Sequence, residues 1–148
     1  MPFKKQKLLQ IETNLDDMNP QWYEPLMEKL FEMGVLDVVL VPIIMKKSRP
    51  AVMLQILTIP ALKKKVMECL FEETTTLGVR VNAVERYELP REIKKVKTSY
   101  GVVDVKIARD MKGQVRNVWP EYESCHEISR KTKKPVKVIF QAALKSFS

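Results

Sequence analysis

Two adjacent aspartates, Asp16 and Asp17, lie in the run Glu-Thr-Asn-Leu-Asp-Asp-Met-Asn-Pro, residues 12–20. Nine residues there hold three carboxylates, two asparagines and a threonine, at the point where an apolar strand runs out and a helix starts. Such a pair has two uses. It can cap the unpaired N–H groups of the helix, or hold a hard cation such as Mg²⁺ or Mn²⁺ through oxygen. Two other clusters bear on the choice. Lys46, Lys47 and Arg49 form a basic loop, and Thr74, Thr75 and Thr76 precede Arg80. Acidic oxygens beside such a loop are what a metal-bound triphosphate needs. The carboxylates hold the cation, the cation bridges phosphate oxygens, and lysine and arginine neutralise the remaining charge. Arginine adds a planar fork, and hydroxyls with backbone N–H groups can face an anion. Each cluster also has a plain structural reading: a solvated hairpin tip, threonine turn chemistry, and a cross-strand ion pair between Glu12 and Arg80.

The elements that must position these groups follow from hydrophobic periodicity. Alternation predicts strands over 5–14, 35–44 and 51–58 and a fourth from Val79, the second and third apolar on both faces. Trp22, Leu26, Leu30 and Met33 fall on one helical stripe closed by Gly34, with Pro25 blurring the first turn. Leu62, Val66, Cys69 and Leu70 form the stripe of a second helix opened by Pro60. The order is βαββαβ, which predicts an α+β fold with a ferredoxin-like core over 1–88. In that topology the end of strand one, the loop between strands two and three, and the start of strand four share one edge of the sheet. Asp16 and Asp17, Lys46, Lys47 and Arg49, and Thr74, Thr75, Thr76 and Arg80 should therefore converge.

Residues 89–148 read as a C-terminal β-meander and two-helix extension. Short strands are expected over 91–98, 101–108 and 115–119, then a helix over 120–131 with Tyr122, Cys125 and Ile128 on one face, and a last helix after Lys133, Lys134 and Pro135. These elements, or another subunit, are expected to cover part of the open side of the first sheet.

The 148 residues carry 26 basic and 18 acidic side chains, a net charge of +8 that favours anionic partners. No run is long and apolar enough for a membrane span and the start is not of signal-peptide type, so the expected compartment is the cytoplasm. Two distant cysteines with no Cys-x-x-Cys spacing argue against a disulfide framework and a zinc knuckle. No Gly-x-x-x-x-Gly-Lys-Ser/Thr loop or Gly-x-Gly-x-x-Gly turn is present.

The run at 12–20, Met-Lys-Lys-Ser-Arg-Pro at 45–50, Glu-Thr-Thr-Thr-Leu-Gly-Val-Arg at 73–80, Tyr-Gly at 100–101 and Pro-Glu-Tyr followed by Cys125 together resemble the nickel insertion protein family of lactate racemase maturation, and more narrowly its C-terminal domain. Gln21 and Ser48 depart from that family's usual glutamate and asparagine. The resemblance implies a CTP-dependent cyclometallase of lyase or chelatase type. Such proteins insert nickel, the substrate metal, into a pyridinium bisthiocarboxylate mononucleotide to make the nickel-pincer nucleotide cofactor, with CTP as co-substrate and Mg²⁺ or Mn²⁺ required. It further implies that Asp16 and Asp17 serve the divalent metal and that Lys46, Lys47, Arg49, Thr74, Thr75, Thr76 and Arg80 serve CTP. An N-terminal domain, on the same chain or a partner chain, and a homo-oligomer built from trimers are implied as well. Two other classes compete: a ferredoxin-like RNA-binding module, which wants exposed aromatics that strands one and three lack, and a regulatory module that binds a small ligand.

Overall fold

The computed structural model describes residues 3–147 and divides into two compact units. The first, Lys5–Arg86, contains β1 (Lys4–Leu15) but for its first residue, α1 (Tyr23–Glu32), β2 (Asp37–Met45), β3 (Arg49–Thr58), α2 (Lys63–Glu73) and most of β4 (Arg80–Glu88). The sheet order is β2-β3-β1-β4, with β3 antiparallel to both β1 and β2. This is the ferredoxin-like arrangement, with the two helix-linked strands β1 and β3 central.

Both helices pack on one face. Ile11 and Leu15 of β1, Leu54 and Ile56 of β3 and Val38 of β2 meet Leu26 and Leu30 of α1 and Val66, Cys69 and Leu70 of α2, all buried. Spacing by two in the strands and by three or four in the helices is what puts these residues on the shared side. Pro25 costs little because it is the third residue of α1, where its missing N–H would have no partner within the helix. A 3₁₀ turn at Pro20–Trp22 leads into α1, and a second at Pro60–Leu62 leads into α2, so each regular helix begins later than its proline. Gly34 ends α1 with φ of +90°, its N–H bonded to the Phe31 carbonyl and the Val35 N–H to that of Leu30. Val79, just before β4, and Val81 within it meet the core, while Ala83 is exposed and Val84 half-buried, so strict alternation changes phase there.

The second unit, from Tyr87 onward, holds β5 (Arg91–Thr98), β6 (Gly101–Arg109), β7 (Val115–Pro120), α3 (Tyr122–Thr132) and α4 (Val136–Phe147). Its three strands form an antiparallel meander in chain order. Val103, Val105 and Ile107 of β6 are buried with Val96, Cys125, Ile139 and Ala143. Lys133, at φ of +56°, closes α3 in the left-handed region and allows the turn into α4. Tyr122 departs from the expected helix face: it is exposed and stacks on His126 with ring centroids 5.4 Å apart, while Cys125 is fully buried. Among the described residues no helix is long and apolar enough to cross a membrane.

Candidate functional site

The three polar clusters meet at the β1 C-terminal edge of the first sheet. Leu15 pairs with Val52 across β1 and β3, so Asp16 emerges beside the start of β3, and Arg49 Nη1 donates to Asp16 Oδ2 at 3.1 Å. From the other side, Thr75 Oγ1 donates to Asp17 Oδ1 at 2.6 Å. The acidic turn thus lies between the basic hairpin tip and the threonine bend, although 33 and 58 residues of chain separate the paired positions. The hydrogen bonds made to each aspartate among the described residues engage one oxygen, Oδ2 of Asp16 and Oδ1 of Asp17.

Threonine hydroxyls hold the bend in place. Thr74 Oγ1 donates to the Leu70 carbonyl at 2.6 Å and accepts from the Thr76 N–H at 3.1 Å, an end for α2 made by a side chain. The hydroxyls of Thr76 and buried Thr13 are paired, and both reach the Gly78 carbonyl, at 2.8 and 3.0 Å. Thr74 and Thr76 are therefore committed to the scaffold, and Thr75 faces the aspartates.

Arg80 belongs to the open face of the sheet. Its Nε donates to Glu12 Oε1 at 2.9 Å and its Nη2 to Asn14 Oδ1 at 3.0 Å. The Arg80 hydrogen bond, with those from Gln10 and Gln55, holds the Glu12 carboxyl below its ordinary value. The cross-strand ion pair expected between Glu12 and Arg80 is thus present. β1 and β3 present no aromatic side chain, as expected from the sequence.

Lys46 and Lys47 stand exposed on the tip, a 3₁₀ turn at Lys46–Ser48. Lys47 and Ser48 have φ of +62° and +55°, left-handed values that neither residue type favours. Backbone strain of that kind persists only where the surroundings hold it, and it concentrates at ligand sites.

Two carboxylates are too few for a free-standing cation cage, and among the described residues no group of three or more His, Cys, Asp or Glu is placed to hold a metal. The donor set fits a small hard cation that arrives with phosphate oxygens and keeps water, as Mg²⁺ does. The cysteines are free and buried, and burial raises both thiols above the ordinary value. Neither is an available thiolate.

A sequence model described as Nickel insertion protein matches residues 1–140. The chain belongs to the nickel insertion protein family. It is 43% identical over 145 residues to a protein of Thermotoga petrophila named pyridinium-3,5-bisthiocarboxylic acid mononucleotide nickel insertion protein, covering 98% of this chain and 36% of that one. A Clostridium acetobutylicum protein of the same name is 44% identical over 135 residues, 91% of this chain and 32% of that one. The chain thus spans about a third of the length of the curated relatives it matches. Among solved structures it is similar, at TM-score 0.90 and 34% identity over 97% of this chain and 99% of the other, to the C-terminal domain of a cyclometallase involved in the synthesis of the NPN cofactor of lactate racemase, in its apo form. A Methanopyrus kandleri protein matches at TM-score 0.69 and 26% identity, covering 96% and 89%.

Within this nickel insertion family member, sequence reasoning missed Asn14 and Thr13. Asn14 accepts from Arg80, and Thr13 ties the bend to β1. Strand alternation places Thr13 on the buried face, and a buried hydroxyl must find a partner, so that signal was available. Asn14 had none beyond its place opposite Met53 on the open face.

Proposed function

We propose that this chain is the nucleotide- and divalent-metal-binding domain of a nickel insertion protein. The whole protein would metallate a pyridinium bisthiocarboxylate mononucleotide at the expense of CTP, yielding the nickel-pincer nucleotide cofactor. The observation that carries the reading is the placement of Asp16 beside Arg49 and Asp17 beside Thr75, each carboxylate engaged through one oxygen.

Asp16 and Asp17 would hold Mg²⁺ or Mn²⁺, which when bound neutralises phosphate charge and orients the phosphates. Arg49 orients Asp16 and can extend its fork to a phosphate. Lys46 and Lys47 add mobile positive charge at the rim, and Thr75 contributes a hydroxyl. Thr74 and Thr76 shape the backbone around the nucleotide, and Arg80 aligns the open face through Glu12 and Asn14. Nickel is substrate here. In the product it is bonded to sulfur and carbon of the mononucleotide, and this chain's buried thiols are not available to it. Buried free thiols also fit the reducing cytoplasm. Assembly into a homo-oligomer built from trimers completes the proposal.

Calorimetric titration of CTP, ATP and a short RNA, each with and without Mn²⁺, tests it. The expected result is metal-dependent preference for CTP, with Mn²⁺ alone binding weakly. Asp16→Asn with Asp17→Asn should weaken CTP binding in Mn²⁺ by at least about a hundredfold, or roughly 3 kcal/mol. RNA binding of equal strength without metal would replace this reading with a nucleic-acid module. Binding of ATP and CTP alike without metal would favour a regulatory ligand site.

A further inference from the structure

The second unit carries a cavity that the nucleotide site does not use. It lies along the meander, has a volume of about 320 Å³, and is lined by Glu88, Leu89, Arg91, Lys106, Ala108, Asn117 and Trp119. Strand register builds it in two rows. Arg91, Ala108 and Asn117 stand side by side across β5, β6 and β7, and Ile93, Lys106 and Trp119 stand side by side in the next row. Ala108 is thus a short floor between two polar walls. The β6–β7 register shifts between Ala108 and Arg109, so the regular pairing that builds these rows ends here. Trp119 is 58% exposed, an unusual place for so large an apolar surface. Its ring is held by an edge-on contact with Phe140, with centroids 4.8 Å apart at 75°.

We propose that this cavity receives the pyridinium ring of the mononucleotide substrate. The inference rests on the proposed substrate and is independent of where CTP binds. Three features select such a ring. The Trp119 face attracts a cationic ring, and the Glu88 carboxylate adds negative charge for the quaternary nitrogen. Arg91 and Lys106 offer positive charge to the anionic groups on the ring, and Asn117 offers an amide. Arg91 pairs with Glu88 at 3.6 Å and Lys106 with Glu121 at 2.7 Å, the basic side chain of each pair being solvent-exposed. A pair with one exposed partner is worth little and can be exchanged for ligand anions. The volume sits at the lower end of the roughly 300–1,000 Å³ usual for ligand sites, enough for a substituted ring but tight for a nucleoside triphosphate.

The test titrates the whole 148-residue chain with the dicarboxylate analogue of the substrate, oxygen replacing sulfur on the pyridinium mononucleotide. Binding is read by calorimetry in every protein, and where Trp119 is kept it should also quench Trp119 fluorescence in a Trp22→Phe background. Ala108→Leu, which fills the floor, and Lys106→Ala should each weaken binding at least about tenfold, while Trp119→Phe keeps more affinity than Trp119→Ala. All four variants should bind CTP with Mn²⁺ as the parent does, and equal thermal midpoints show that they fold. If the analogue does not bind, if Lys106→Ala and Ala108→Leu bind it like the parent, or if CTP displaces it one for one, the proposal is overturned. Loss of CTP binding with retention of analogue binding would instead overturn the nucleotide reading and leave this one standing.

Discussion

Glu12 accepts from Arg80, Gln10 and Gln55 at once, and its carboxyl is held below the ordinary value of 4.5, chiefly by the Arg80 hydrogen bond. The sign of the pH effect follows. A carboxyl with a depressed folded pKa contributes stability that is present above its unfolded value and is lost as the pH falls through the folded one. Glu12→Gln should therefore lower the thermal midpoint near neutral pH, and its deficit relative to the parent should shrink as the pH falls through the depressed folded pKa and Glu12 takes up its proton. Glu92 and Glu127 are also held low by basic neighbours, so the parent itself softens in acid, and the difference between the two proteins is the informative quantity. A deficit that does not change with pH would show that the Arg80 pair contributes nothing through charge. This pair was legible in the sequence, because antiparallel neighbours of opposite charge on one face need only the correct topology to meet. Tyr122 was not legible. It shares a helical stripe with Cys125 and Ile128, yet the first turn of α3 reaches past the core, and the ring stacks on His126 instead.

At the level of elements, periodicity decided which segments are helices or strands, and prolines and hydroxyls decided where they end. Pattern places a core helix after Pro20, but only the backbone shows that Pro20–Trp22 is a 3₁₀ turn and that Tyr23 starts the α-helix. The β2–β3 hairpin tip is the clearest case of a feature hidden from composition. Lysine and serine carry no left-handed preference, yet Lys47 and Ser48 both adopt positive φ, at a cost of roughly 1–2 kcal/mol each. Asparagine tolerates that region far better than serine. Ser48→Asn should raise stability by about 0.5–1 kcal/mol and the thermal midpoint by a few degrees, with CTP binding in Mn²⁺ unchanged or stronger. A lower midpoint would mean that the Ser48 hydroxyl supports the tip in a way that outweighs its backbone strain. The threonine bend is the opposite case. Three consecutive threonines after a helix announce turn chemistry, and the structure turns the Thr74 and Thr76 hydroxyls onto the backbone of the bend and the Thr75 hydroxyl onto Asp17. Which one faces the aspartates depends on the phase of the bend relative to β1, and no local pattern encodes that.

On the scale of the molecule, the clusters around Asp16 could be expected to converge because topology, not local sequence, sets which loops share a sheet edge. The βαββαβ order is readable from alternating periodicities, and once it is granted the three loops have nowhere else to go. The second unit was less determined, since a meander and two helices fix no comparable geometry for a ligand. Each unit nevertheless closes its own core. Every residue of the cluster around Leu54 and Leu70 lies within 5–86, and every residue of the cluster around Val105 and Ile139 lies within 87–147. A domain that buries its own apolar surface can fold alone, although one of fewer than a hundred residues has a small margin. A fragment of residues 1–88, which keeps β4 whole, should therefore melt in a single cooperative transition and bind CTP in Mn²⁺ within about tenfold of the full chain, because Asp16, Asp17, Arg49 and Thr75 all lie inside it. It should fail to bind the dicarboxylate pyridinium analogue, whose proposed cavity takes Arg91, Lys106, Ala108, Asn117 and Trp119 from β5, β6 and β7. A fragment that folds but loses CTP would move part of the nucleotide site into the second unit. One that binds both ligands would place the pyridinium ring on the first sheet and remove the role assigned to Trp119.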